Sequence, residues 1–170
     1  MKKTAYFALT LFGVALSGCK SYVPQTYGPV EFESYFEGPL YPSGVLDAQI
    51  EFDFSPEDFD ISRDDVHSMI LDEITLTTEY ENGFGDFENI SFMISADGVE
   101  AANVATINIT DNSKELVVPG LAEGEIKKFK NVKKYYLQIT AVAKPDIEET
   151  YEDIDIKGAF SMSIMIPDKK

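Results

Sequence analysis

The chain reads as an all-β protein built from two antiparallel layers. Three observations lead there. From residue 45 onward apolar residues recur at every second position, the period of a strand with one wet and one buried face. Clusters of Pro, Gly, Asp and Asn interrupt those runs at strand-length intervals. No apolar stripe at helical spacing is long enough to act as the crossover helix of a parallel sheet. The expected fold is therefore an antiparallel β-sandwich of immunoglobulin-like architecture, with about seven strands and one or two short helices. A small β-barrel is the alternative. At 44% hydrophobic, 26% charged and 12% aromatic, the composition is that of a folded chain rather than a disordered or collagenous one.

Taken in order, residues 20–44 hold four Pro and three Gly, which predicts an extended tether of about 25–30 Å. They also hold six aromatic residues. That excess predicts that part of the segment docks on the domain, with Val30 to Phe32 as an edge strand; an interfacial or partner-binding role for the rings is the alternative. The domain proper is expected over 45–170. Leu46, Ala48, Ile50, Phe52 and Phe54 alternate with polar residues as a first strand, which Ser55-Pro56 breaks. Ser62 followed by Arg63-Asp64-Asp65 resembles a helix cap with acids in its first turn, and Val66, Met69 and Ile70 extend it to a short helix over 63–71. A strand over 72–80 follows, turned by Glu81-Asn82-Gly83. Ile90 to Ala96 makes the next strand, stopped by Asp97-Gly98. Ala105, Ile107 and Ile109 make another, stopped by Asp111-Asn112-Ser113. Leu116-Val117-Val118 is a short strand ended by Pro119-Gly120. Ile126 and Phe129 suggest one helical turn. Tyr135 to Ala143 is a strand ended by Pro145, and Ile154 to Ile166 is the last, with Gly158 marking a bulge or a close contact.

The first nineteen residues are different. Met1-Lys2-Lys3 is basic, and residues 5–16 carry no charge. Twelve residues span about 18 Å as a helix, too short for a hydrocarbon core of about 30 Å, so the run predicts a signal peptide rather than a span. The sequence then reads Leu16-Ser17-Gly18-Cys19. This resembles the lipobox of bacterial lipoproteins. The resemblance covers residues 1–19 and implies cleavage after Gly18, a diacylglyceryl group on the Cys19 thiol and a mature chain beginning at Cys19. Several acyl chains on one residue make a stable anchor where a single chain is marginal. By the sorting rule of that family, Lys20 rather than Asp at the second mature position implies the outer membrane. The later strand layout loosely resembles immunoglobulin-like β-sandwich lipoproteins of Gram-negative bacteria, a likeness that carries no diagnostic motif and implies no activity.

Charge and residue inventory exclude several chemistries. With 14 Lys+Arg against 30 Asp+Glu the chain carries −16, and losing residues 1–18 removes Lys2 and Lys3 to leave 12 − 30 = −18. Nucleic acid is a poor partner for such a surface. One Cys and one His rule out a disulfide framework, a thiolate zinc cage and a multi-histidine metal site. His67 is the only imidazole base, and no nucleophile-elbow pattern accompanies it. Asp58, Asp60 and Asp64 place oxygen side chains at near-alternate positions that calcium favours, but Arg63 and Met69 stand where an EF-hand loop needs Gly and Glu. The acidic run Asp146 to Asp155 could add ligands; as a solvated loop it serves solubility. Lys127, Lys128, Lys130, Lys133 and Lys134 gather five cations into eight residues, either compensating an acidic neighbourhood or docking an anionic partner. Asn89-Ile90-Ser91 and Asn108-Ile109-Thr110 match glycosylation sequons that have no meaning in a bacterial lipoprotein.

The expected protein is thus a non-enzymatic module without cofactor, anchored in the cell envelope by lipid on Cys19 and presenting a binding face to an envelope protein or a glycan. The alternatives are a carrier holding an apolar small molecule between its sheets and an envelope hydrolase.

Overall fold

The computed structural model describes residues 21–55, 61–121, 126 and 132–168. Eight strands fill it: β1 (Tyr22–Phe36), β2 (Val45–Asp53), β3 (Ser68–Thr77), β4 (Phe87–Ala96), β5 (Val99–Asn108), β6 (Glu115–Pro119), β7 (Lys134–Ala143) and β8 (Ile154–Pro167). They form two four-stranded sheets, ordered β1-β8-β3-β6 and β2-β7-β4-β5, with every pairing antiparallel. The sheets pack face to face and neither closes into a barrel, so the sandwich expected from the period-two pattern is what the chain forms. Its connectivity differs from the immunoglobulin order. Strands β1 to β4 pair in turn with β8, β7, β6 and β5, as though one long hairpin were wound around a barrel axis. That is the double Greek key of a jelly roll.

Antiparallel pairing fixes which loops share an end. The chain enters at Tyr22, and β8 leaves beside it, with Tyr22 opposite Pro167. We call this end the base. The β2–β3, β4–β5 and β6–β7 connections also leave from it. The β1–β2, β3–β4, β5–β6 and β7–β8 connections gather at the opposite end, the crown.

Alternation drives the inner faces together. Leu46, Ala48, Ile50 and Phe52 of β2, Ile90, Phe92 and Ile94 of β4, and Tyr135, Leu137, Ile139 and Ala141 of β7 are buried from one side. Ile74 and Leu76 of β3, Val118 of β6, and Ile156, Phe160, Met162 and Ile164 of β8 meet them from the other. Aromatic edges bridge the layers: Phe52 meets Phe160 edge-on at 4.9 Å between ring centroids, and Phe36 lies 5.6 Å from Phe87.

Several sequence expectations change. The segment read as a tether is largely β1, a fifteen-residue edge strand on β8 that buries Phe32 and Phe36. Val30 to Phe32 lie inside it, but pairing begins eight residues earlier. The prolines fit because an edge strand has one unpaired side, and Gly28 (φ 111°) sits where the register slips between Tyr27 and Val30. The short helix over 63–71 is a single 3-10 turn, Arg63–Asp65, and residues from Ser68 on are strand. A register shift between Leu71 and Glu73 breaks the alternation and imitates helical spacing. Ile126, read as part of a helical turn, forms a β-bridge to Met69; Phe129 lies outside the described residues. No helix of the described residues is long and apolar enough to cross a membrane.

Candidate functional site

The crown carries a cleft of about 580 Å³ between the β3–β4 and β7–β8 connections. Tyr80, Asn82 and Asp86 line one side, and Lys144, Asp146, Glu148 and Glu149 the other. Its walls are tied together. Tyr80 Oη donates to Asp86 Oδ2 at 2.8 Å, and Asn82 Nδ2 donates to the same oxygen at 3.0 Å. Lys144 Nζ donates to the Gly85 carbonyl at 2.6 Å, and the Lys144 backbone N–H to the Asp86 carbonyl at 2.9 Å. Burial first, and then the carboxylate of Asp86, push the Tyr80 hydroxyl up to about 12. Nearby, Leu40 and Thr150 form a β-bridge, and Gly38 N–H donates to Asp153 Oδ1 at 2.9 Å, so the β1–β2 connection braces the same wall. Tyr41 and Tyr151 stand exposed at its rim. A hydrogen bond with Glu149 raises the Tyr151 hydroxyl above its ordinary range.

Two further depressions lie on the outer sheet faces. One, of about 540 Å³, crosses β1, β8 and β3 over Glu31, Glu33, Thr75, Thr77, Lys157 and Ala159. There Lys157 Nζ donates to Glu33 Oε1 at 2.8 Å, which lowers the Glu33 carboxyl and raises the Lys157 ammonium. The other, of about 310 Å³, crosses β2, β7 and β4 over Asp47, Gln49, Gln138, Thr140 and Met93. Thr140 Oγ1 donates to Asp47 Oδ1 there at 2.6 Å.

The residues singled out by sequence are scattered. Cys19, Asp58, Asp60, Lys127, Lys128 and Lys130 lie outside the described residues. Asp64 is exposed in the 3-10 turn at the base. No group of three or more acidic, His or Cys residues among the described ones is arranged to hold a metal. Lys133 and Lys134 are exposed where β7 leaves the base, and Lys134 Nζ bonds Glu51 Oε1 at 2.5 Å, which raises the lysine. His67, also at the base, stacks on Tyr22 with ring centroids 4.0 Å apart, at the opposite end from the crown cleft. Asn89 and Asn108 face each other across β4 and β5. The pairing of Tyr80 with Asp86 escaped sequence reasoning. Its signal was the run Tyr80 to Asp86, in which two glycines turn the chain back on itself; Gly83 takes φ 56°.

No family model and no curated protein matches the chain. Among solved structures, a chain of the infectious bursal disease virus VP2 subviral particle is similar, at 12% identity over 95% of this chain and 38% of that one, with a TM-score of 0.35. The chain thus spans well under half of that protein's length, and a likeness at this score carries no argument about function.

Proposed function

We propose that the protein is a lipid-anchored, non-enzymatic binding module of the cell envelope, held at the outer membrane through Cys19 and using its folded surface to engage an envelope partner. The observation that carries the reading is positional. Cys19, in its lipobox setting, stands three residues before Tyr22, where β1 begins at the base. Acyl chains there attach to the foot of the sandwich, outside its core, and leave the crown and both outer sheet faces to a partner. The carrier alternative is disfavoured by the filling between the sheets, where Phe52, Phe92, Tyr135 and Phe160 occupy the inner faces. The hydrolase alternative loses its one imidazole, which is stacked at the base and remote from the crown cleft.

Cys19→Ala tests the anchor. The substituted chain should lose incorporation of labelled palmitate and leave the membrane fraction on washing, while its circular dichroism keeps the β signature. Normal processing and tight membrane association of that variant would overturn the proposal.

A further inference from the structure

The middle of the outer face of the β2-β7-β4-β5 sheet is an uncharged polar patch, and that patch points to a ligand. The face of the β1-β8-β3-β6 sheet carries Glu31, Glu33, Glu73, Glu115, Asp155 and Lys157. On the opposite sheet, strand register sets the outward residues of β2, β7, β4 and β5 into rows. Asp47, Thr140, Ser91 and Thr106 make one row. Gln49, Gln138, Met93 and Asn103 make the next, flanked by Val142, Asn89 and Asn108 on one side and Tyr136 and Ser95 on the other. Over the middle of the sheet, from Asn89 to Ser95 on β4, Tyr136 to Val142 on β7 and at Asn103, Thr106 and Asn108 on β5, the outward positions carry no charged side chain; exposed Glu88 and Lys134 stand at the crown and base ends of this patch. At the β2 edge, Asp47 accepts the Thr140 hydroxyl, Glu51 is paired with Lys134, and Asp53 is exposed at the base end of the strand. The depression of about 310 Å³ lies over the middle rows.

We infer that this face binds a neutral glycan chain, which names the partner class within the binding-module reading and rests on it. Sugar hydroxyls donate and accept, and so do the amide and hydroxyl side chains that make up this face. Gln49 and Gln138 are directly opposed, and their side-chain amides bond no other described residue. Asn103 and Thr106 are already tied, with Asn103 Nδ2 donating to Thr106 Oγ1 at 3.3 Å, so that end of the row is held in place before a ligand arrives. Four strands span about 14 Å at about 4.8 Å spacing, room for a few linked sugar rings. Tyr136, two residues along β7 from Gln138, gives the half-buried aromatic surface on which a sugar ring stacks. Uncharged chains approach without the repulsion that a surface of this net charge imposes on polyanions. A second protein or a second copy fits less well, because protein interfaces have apolar cores and Met93, Val142 and Tyr136 are separated by amides and hydroxyls.

The test is a titration of the full-length protein, in detergent, with cellohexaose, maltohexaose, laminarihexaose and chitohexaose, and with a galacturonate hexamer as the charged counterpart, read by NMR. At least one neutral hexasaccharide should shift the side-chain amides of Gln49, Gln138 and Asn103. The Gln49→Ala/Gln138→Ala double variant should bind it at least about tenfold more weakly at unchanged melting temperature. Silence toward every neutral sugar at millimolar concentration overturns the inference, as does preference for the galacturonate. So does concentration-dependent dimerisation that Gln138→Glu abolishes, which would give the face to a second copy. The titration does not depend on the anchor. A silent titration with a normal Cys19→Ala result removes only the glycan, and the reverse pair removes only the envelope address.

Discussion

Gly158 shows how one position can be closed to every other residue. A Cβ there would run into the Thr75 carbonyl and lie 2.6 Å from Phe32 Cζ and 3.0 Å from Leu76 Cδ2. Three strands converge on that point, and two of the obstacles belong to the core. Gly158→Ala should therefore cost about 1–3 kcal/mol through overpacking. At about 2–4 °C per kcal/mol for a chain of this size, a thermal melt will register it. An unchanged melting temperature would mean the strands pack more loosely there than the contacts require. Tyr80 makes a second prediction. Its hydroxyl is pushed up to about 12 by burial and by Asp86, so the fold favours the protonated form. A raised folded-state value means the contribution is fully present below the ordinary tyrosine range near pH 10 and is lost as pH rises through about 12. Absorbance at 295 nm should show a tyrosine ionising near pH 12, and Asp86→Asn should bring that transition part of the way back, because burial remains. A late transition that ignores Asp86→Asn would assign the shift to another tyrosine.

At the scale of elements, β1 decides whether the N-terminal segment is a leash or part of the sandwich. Phe36 is fully buried and packs 5.6 Å from Phe87 on the facing sheet. Phe36→Ala should destabilise the fold by about 3–5 kcal/mol, and backbone amides of β1 that bond β8 should exchange slowly with deuterium. A solvated tether would show neither effect. Strands β2 and β7, β4 from Ile90 on, and β8 apart from Gly158 were legible because apolar residues fall at every second position between turn residues, whereas the shift between Phe87 and Asn89 hides the start of β4. β1 was only glimpsed, since Pro24, Gly28 and Pro29 break its pattern and an edge strand tolerates them. The start of β3 was misread because Ser68 and Met69 are both buried before the shift at Leu71, and two adjacent inward residues look helical. In β5, Val104 and Ala105 are both buried where the pairing jumps between Phe92 and Met93. The sites were harder still. The crown cleft joins Asp86 to Lys144, and the uncharged patch emerges only once the register of four strands is known. Neither distance nor register is written in a local pattern.

The whole molecule is electrically lopsided, and the topology says which way. The crown connections, residues 37–44, 78–86, 109–114 and 144–153, hold ten carboxylates and two lysines, or 2 − 10 = −8 of the chain's −16. The base is where β1 begins and where Lys133 and Lys134 lie. With the anchor proposed at Cys19, the base faces the lipid. The nine residues of β2 alone separate crown from base by about 30 Å at about 3.4 Å per residue. Charges in water are screened over about 8 Å at physiological ionic strength, so crown acids that far from anionic headgroups feel little repulsion. Orientation on the membrane then costs little electrostatically, whereas lying on the acidic β1-β8-β3-β6 face would bring Glu31, Glu33 and Glu73 against the headgroups. A thiol-reactive fluorophore on Asp97→Cys, at the base hairpin, should be quenched by vesicles carrying headgroup-labelled lipid. The same fluorophore on Asn112→Cys, at the crown, should not. Both sites leave Cys19 for the proposed acyl chains, so the reconstituted full-length protein can be measured directly. Equal quenching at the two positions would mean that the sandwich lies flat, and a flat molecule would have to press one of its sheet faces onto the lipid instead of offering it to a partner.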